Sequence, residues 1–441
     1  MTAGPARTRL KHVLQGVLLA IIFFSILSGS LVLWWALRPN QSQVNPDLKY
    51  DQWDAVTNGR HNANTDLIFW NGYYYFIYAN QPGNQGSTTT FLELDRSTDF
   101  HTWSEVARFN VPNEDIRDPK MCIIHDQLFI YYLKNAGFIA DPYTTAFVNS
   151  SDGVHFSEPQ DVFGQEGWLF WRPKTNDGVT WYVTGYWHEK GQCTLLSSTN
   201  GFNWTMVSSV VNASGLDESE LVFLPDSRML VTCRVEIEID SVLGDVNAGT
   251  AISVAAPPYT EWNRTFDKTT RLDGPNLFSL YDASTGLTRL FALGRFQPDR
   301  DSLFTASGSV FSRKYTSLYE FTNLSGTPKL TYISDLPSDG DTAYLGVIVQ
   351  GDCLYASYYS NDLTRDYAWW LGMLLPSDIY MVNISVASIF NAAAHPLPIV
   401  NVLPWDNYLI VGANAIFIAA TITWIVRKCS KKESENPAGK S

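Results

Sequence analysis

The feature that most constrains this 441-residue chain is a hairpin that recurs six times between two apolar stretches. Each instance is an apolar strand, a short polar turn and a second strand rich in aromatics. The instances are DLIFWNGYYYFIYA from Asp66, PKMCIIHDQLFIYYL from Pro119, LFWRPKTNDGVTWYVTGYW from Leu169, ELVFLPDSRMLVTCR from Glu220, NLFSLYDASTGLTRLFALGR from Asn276 and YLGVIVQGDCLYASYY from Tyr344. Their turns carry Asn-Gly, His-Asp, Asp-Gly, Asp-Ser, an Asp-to-Gly loop and Gly-Asp, residues that suit tight hairpins. Successive turns lie roughly 50 to 65 residues apart, which leaves room for about four strands per unit. The region shows no sustained helical periodicity. A four-stranded unit cannot hide both of its faces alone, so units packed around an axis must bury one another. The pattern therefore predicts an all-β fold, a six-bladed β-propeller over residues 51–395.

Two apolar runs flank the repeats. Residues 13–37 and 408–426 are each long enough to cross a bilayer. Arg7, Arg9 and Lys11 precede the first, and RKCSKK follows the second, so residues 1–12 and 427–441 are expected in the cytoplasm. Trp34, Trp35 and Trp405 are expected at the outer interface, with linkers at 38–50 and 396–407. The propeller is then extracellular or lumenal, and the bilayer is a partner through two transmembrane helices. Seven Asn-x-Ser/Thr sequons, at Asn40, Asn149, Asn203, Asn212, Asn263, Asn323 and Asn383, all lie between the spans and agree with export. Cys122, Cys193, Cys233 and Cys353 fit buried thiols as well as two disulfides, and Cys429 is a candidate for palmitoylation. A net charge of -13 argues against nucleic acid as a partner.

A second motif recurs after the first three hairpins. Ser97-Thr-Asp-Phe-His-Thr-Trp103, Ser150-Ser-Asp-Gly-Val-His-Phe156 and Ser198-Thr-Asn-Gly-Phe-Asn-Trp204 share a Ser-x-Asp/Asn…aromatic form. These resemble the Asp-boxes of the sialidase superfamily, where they mark outer hairpins of propeller blades. Their residue types suit a structural role, with polar side chains holding turn amides and the aromatic packing between sheets.

In a propeller the innermost strands converge on a central channel, and their starts line its mouth. Those positions offer Arg60, His61, Asn64 and Asp66; Arg117, Asp118 and Lys120; Arg172 and Lys174; Asp217, Glu218 and Glu220; Asp273 and Asn276; and Asp339, Asp341 and Tyr344. The second strands end in Lys134, Tyr186, His188, Arg234, Arg295, Tyr358 and Tyr359. Glycoside hydrolysis needs an acid for the leaving oxygen and a second group to attack or to activate water. Asp66 and Asp118 are candidate acids. Glu218 or Glu220 is the candidate partner of a tyrosine, Tyr344 or Tyr359. Arg117, Arg172, Arg234 and Arg295, with Tyr186 and Asn276, are candidate substrate-binding residues.

The run DESELVFLPDSRMLVTCR, from Asp217 to Arg234, resembles the sialidase segment in which a glutamate is followed by a binding arginine. The closing repeats, with DGDTAY before a hairpin ending in paired tyrosines, are similar to those of sialidase-like propellers. The resemblance covers about residues 60–385 and implies a tyrosine nucleophile and arginines that hold an acidic sugar. The first repeat departs from it, reading Asn-Thr-Asp where sialidases carry Arg-Ile-Pro. Asp66, Asp118 and a later glutamate also resemble the three-carboxylate set of five-bladed glycosidases. The expectation is a membrane-anchored glycan hydrolase of sialidase-like type that needs no cofactor and no metal. The alternatives are a non-catalytic propeller that binds surface glycans or a protein partner, and a scaffold subunit of a membrane complex.

Overall fold

The structure is a computed structural model that describes residues 5–135, 144–187, 190–213, 215–236, 243–298, 306–399 and 405–434, with helix side chains at the two ends described from 14 and up to 427. His188 and the side chains of Arg7, Arg9, Lys11 and Cys429 lie outside the described residues. The chain divides into a unit of Pro39–Val402 and a unit made of its two ends.

Pro39–Val402 is a propeller of six antiparallel sheets. Its innermost strands are His61–Trp70, Asp115–Ile124, the split pair Leu169–Phe170 and Lys174–Thr175, Leu216–Phe223, Asp273–Asp282 and Ala343–Gln350. We number the blades 1 to 6 in that order. Five blades use consecutive strands only. Blade 6 joins Ala343–Gln350, Cys353–Ser360 and Asp378–Ser385 to Tyr50–Val56, so the first strand of the propeller closes the ring against the last.

The hairpins read from the sequence join the first and second strands of each blade. Asn71-Gly72 and His125-Asp126 both take positive φ, as two-residue turns between twisted strands demand. Apolar side chains on alternate positions then pack blade against blade. Between blades 1 and 2, Ile77, Leu94, Met121, Ile130, Tyr132 and Val148 form one such layer. Each fully buried Leu, Ile or Phe of this kind stabilises the ring by about 1.5–3 kcal/mol.

The innermost strands share an irregularity. Their register shifts between Ala63 and Asp66, Arg117 and Lys120, Leu216 and Ser219, Asp273 and Asn276, and Ala343 and Gly346. In blade 3 the strand breaks at the corresponding place. A bulge adds one unpaired residue and re-aims the side chains around it, so the start of each strand faces the mouth differently from the rest. At Gly346 the neighbouring strand comes so near that a Cβ would lie 2.2 Å from Leu67 N.

The Ser-x-Asp/Asn motifs sit between the third and fourth strands of blades 1 to 3. In each, the serine Oγ and the Asp or Asn Oδ1 accept turn amides: Asp99 from His101 and Thr102 at 2.9 and 2.7 Å, Asp152 from Val154 and His155 at 2.9 and 2.8 Å, Asn200 from Phe202 and Asn203 at 2.9 and 3.0 Å. Thr175 and Asp177 make the same turn inside the blade 3 hairpin. The Thr102 and His101 amides depress the carboxyl of Asp99, and the His155 side chain, then the His155 and Val154 amides, depress that of Asp152.

The terminal unit holds helices Pro5–Leu37 and Trp405–Ser434. Their apolar windows, Leu14–Leu37 and Trp405–Arg427, are long enough to cross a membrane. Trp34 Nε1 donates to Asp406 Oδ2 at 2.7 Å and Trp35 Nε1 to Asn407 Oδ1 at 2.9 Å, so the end of one helix meets the start of the other. Cys122, Cys193, Cys233 and Cys353 are free thiols.

Candidate active site

The innermost strand of blade 4 brings Glu218 to the mouth, where it is only 5% exposed. Its Oε1 accepts from Tyr344 OH and from Arg234 Nη1 at 3.0 Å, and its Oε2 accepts the Gly274 amide at 2.6 Å. Burial pushes the Glu218 carboxyl up to about 7, with Asp217 and Asp273 adding repulsion while Arg234 and the Tyr344 hydrogen bond pull the other way. Burial raises the Tyr344 hydroxyl well above its ordinary value, and the Glu218 charge raises it further.

Tyr344 is held in an uncommon conformation. It sits in the blade 6 bulge with φ of 49°, next to Ala343 at 92°. A bulky residue in the left-handed region is strained, and such strain collects where a side chain must be aimed. Gly274 makes room for it. That glycine has φ of +56°, and a Cβ there would lie 2.7 Å from the Tyr344 ring. The Arg295 guanidinium lies 5.2 Å above the ring of Tyr344.

Asp118 occupies the bulge of blade 2, also with positive φ, and accepts a hydrogen bond from Asn64 Nδ2. Burial pushes its carboxyl up, against the pull of Lys120 and Arg117. Its charge acts on Tyr186, Tyr344 and Tyr359, which puts it within electrostatic reach of the Glu218–Tyr344 pair. Tyr186 is buried, and its hydroxyl is raised by that burial and by the charges of Asp217, Asp118 and Glu218.

Other sequence candidates lie elsewhere. Asp66 and Glu220 face an axial layer below the mouth, where Arg172 binds both: Nη2 is 2.9 Å from Asp66 Oδ1 and Nη1 contacts Glu220 Oε2. Asp66 also accepts the Met121 amide at 2.6 Å, and Lys174 Nζ lies 2.8 Å from Glu220 Oε1. Lys120, its ammonium destabilised by burial, stacks 4.2 Å over Trp171. The charges of Asp66 and Glu220 are thus balanced by Arg172 and Lys174 in a layer apart from the Glu218–Tyr344 pair. Asn276 donates to Leu345 O at 3.1 Å, in the same layer. Arg172, Lys174 and Asn276 also floor a cavity of about 550 Å³ walled by later residues of the innermost strands, including Leu67, Met121 and Phe278.

Arg117 is bound within its own strand by Asp115, with Nε at 2.7 Å and Nη2 at 2.5 Å from Oδ2. Tyr358 is buried, donating to Pro337 O at 2.7 Å. Tyr359 is also fully buried, between Arg295 Nη2 at 3.1 Å and Asp341 Oδ1 at 3.2 Å. Asp341 in turn binds His61 Nε2 at 3.2 Å and Trp369 Nε1 at 2.9 Å. Burial opposes its ionisation, yet His61 and Arg295 hold it down at about 2.

Arg234 and Arg295, candidate substrate-binding residues, are held by neighbouring carboxylates and a carbonyl. Arg234 reaches Glu236 Oε1 with Nε at 3.1 Å and Nη2 at 2.7 Å, besides Glu218. Arg271, absent from the sequence candidates, donates from Nε and Nη2 to the two carboxylate oxygens of Asp273 at 2.7 and 2.5 Å, while its Nη1 contacts Glu236. Arg295 donates to Thr342 O and Asp341 Oδ1, both at 2.9 Å. Arg271 and Glu236 each lie two residues from a candidate, Asp273 and Arg234, in extended chain just beyond a strand end. That same-side spacing is the signal that would have found them. Trp369 lies in the segment between Ser360 and Asp378, and no sequence signal marked it.

No family model matches the chain, and no curated protein matches it. Solved structures do resemble it. A protein of unknown function from Dyadobacter fermentans is 14% identical, with a TM-score of 0.55 over 77% of this chain and 99% of its own. The phage phi92 endosialidase is 10% identical, with a TM-score of 0.54 over 77% of this chain and 69% of its own. The Trypanosoma rangeli sialidase is 10% identical, with a TM-score of 0.54 over 80% of this chain and 60% of its own. At these identities the likeness shows the fold: a six-bladed propeller of the kind that sialidases carry.

Proposed function

We propose that this protein is a glycoside hydrolase working through a tyrosine nucleophile at the propeller mouth. The observation that carries the reading is the Tyr344–Glu218 hydrogen bond, with Glu218 fixed on its other sides by Arg234 and the Gly274 amide. A phenol is a weak nucleophile until a neighbouring base takes its proton. Glu218 accepts the Tyr344 proton as Oη forms a bond to the anomeric carbon. The glycosidic C–O bond breaks, and Asp118, whose carboxyl burial pushes up against the pull of Lys120 and Arg117, gives its proton to the leaving oxygen. Water, deprotonated by Asp118, then cleaves the tyrosyl–sugar bond, and Tyr344 recovers its proton from Glu218. Both acids end as they began. Two displacements at one carbon retain its configuration.

The two apolar helices serve as membrane anchors. With both basic flanks in the cytoplasm, the propeller acts on glycans at the external or lumenal surface. The test is a panel of aryl glycosides assayed with the purified protein beside Tyr344→Phe and Glu218→Gln. Each substitution is expected to lower kcat by about 10³-fold or more with the fold unchanged, the scale on which removing a nucleophile or its base acts. Turnover that survives both substitutions rejects the mechanism. A protein that binds glycans and cleaves none is a lectin-like propeller instead.

A further inference from the structure

The charge balance of the mouth narrows the substrate. An acidic sugar is recognised by guanidinium forks whose N–H groups are free to grip its carboxylate. Here the three arginines beside the Glu218–Tyr344 pair, Arg234, Arg271 and Arg295, stand among five carboxylates: Asp217, Glu218, Glu236, Asp273 and Asp341. Arg271 uses both edges of its fork on Asp273 and Glu236. Arg234 spends Nε, Nη1 and Nη2 on Glu236 and Glu218, and Asp217 and Asp273 close in on it at 3.5 Å. Arg295 is taken by Asp341, Thr342 O and Tyr359, with Asp273 at 3.6 Å from Nη1.

A substrate carboxylate that gripped these forks would have to displace one of the carboxylates and leave it buried without its cation, or bind against Asp273 at Nη1 of Arg295, and both are unfavourable. The same surplus of acceptors suits hydroxyl donors. Asp217 and Glu236 keep 24% and 14% side-chain exposure, and Trp369 offers a partly exposed ring beside Asp341. We infer that the mouth takes a sugar without a carboxylate, a neutral glycoside whose hydroxyls donate to Asp217 and Glu236, and that acidic sugars are excluded. The inference deepens the hydrolase reading and rests on it for the site it describes.

The test uses the full-length protein in detergent micelles, with two readouts. Turnover is measured on 4-nitrophenyl galactosides, glucosides and N-acetylglucosaminides, against 4-nitrophenyl glucuronide and an aryl sialoside. Binding of free galactose, N-acetylglucosamine, glucuronic acid and N-acetylneuraminic acid is followed by thermal shift. At least one neutral substrate is expected to exceed both acidic ones by about 100-fold in kcat/KM, the scale of discrimination that unpaired buried polar groups impose. Glu236→Gln, which frees N–H groups of Arg234 and Arg271, is expected to narrow that gap by about 10-fold, and Asp217→Asn to move it in the same direction. Equal or better use of an acidic sugar by the wild type overturns the inference and leaves the hydrolase reading standing. Neutral sugars that bind without any cleavage overturn the hydrolase reading and leave the inference standing. No binding and no turnover overturn both, and a gap that neither variant narrows overturns the charge-balance argument.

Discussion

Glu218 is the residue on which the chemistry turns, and its environment makes a pH prediction. As the base for Tyr344 it must be ionised, so kcat/KM is expected to rise with pH through an apparent pKa near 7 on the acid limb. Asp217 repels that charge, so Asp217→Asn is expected to move the limb to lower pH, as a rate profile on any cleaved glycoside will register. Stability runs the opposite way. The carboxyl is easier to protonate in the fold than in the unfolded chain, where it titrates near 4.5. The stabilising contribution of its neutral form is therefore whole below that range and is lost as the pH rises through about 7. Urea titrations at pH 5 and 8 are expected to show a smaller loss in Glu218→Gln than in the wild type. The sequence named both Glu218 and Glu220 and had no means to separate them. Strict alternation puts residues two apart on one face, but the register shift between Leu216 and Ser219 falls in that interval. Glu218 is sent to Tyr344 while Glu220 goes to Arg172.

At the scale of elements, the innermost strands carry two polar layers with different work. The mouth layer is aimed by bulges, and the axial layer is a buried ion network centred on Arg172. Removing this cation leaves Asp66 without its ion-pair partner and Glu220 with Lys174 alone, so Arg172→Met is expected to cost about 3–5 kcal/mol in unfolding free energy. Adding Asp66→Asn and Glu220→Gln to that variant is expected to recover a large part of the loss, measured as denaturant midpoints across the series. The hairpins were legible because their turn residues and alternation are local properties, and each of the six joins the first two strands of a blade. The pairing of Arg271 with Glu236, or of Arg172 with Asp66, was not. Those contacts join strands of different blades or reach across the axis, and nothing in the order of residues records how far a side chain extends there.

For the whole molecule, the ring is held shut by one strand. Tyr50–Val56 pairs with Asp378–Ser385 in blade 6, from Tyr50 opposite Ile384 to Val56 opposite Ile379. Its sequence, YDQWDAV, sits outside every repeated hairpin, so the hairpin count placed the blades without revealing what closes them. A chain beginning after Val56 is expected to keep most of its strands by circular dichroism yet lose a sharp thermal transition, because blade 6 would end in an unpaired edge. A chain that keeps residues 39–399 is expected to retain it.

That closing strand also sets a clock. It emerges from the ribosome early, and its partner more than 300 residues later, a delay of roughly 15–65 s at ordinary rates of synthesis. Throughout that interval the nascent protein carries an unclosed ring whose first strand has no neighbour. The chain is therefore exposed to capture by other strand edges until its last blade arrives, and chaperone dependence during synthesis should end abruptly there rather than fade blade by blade.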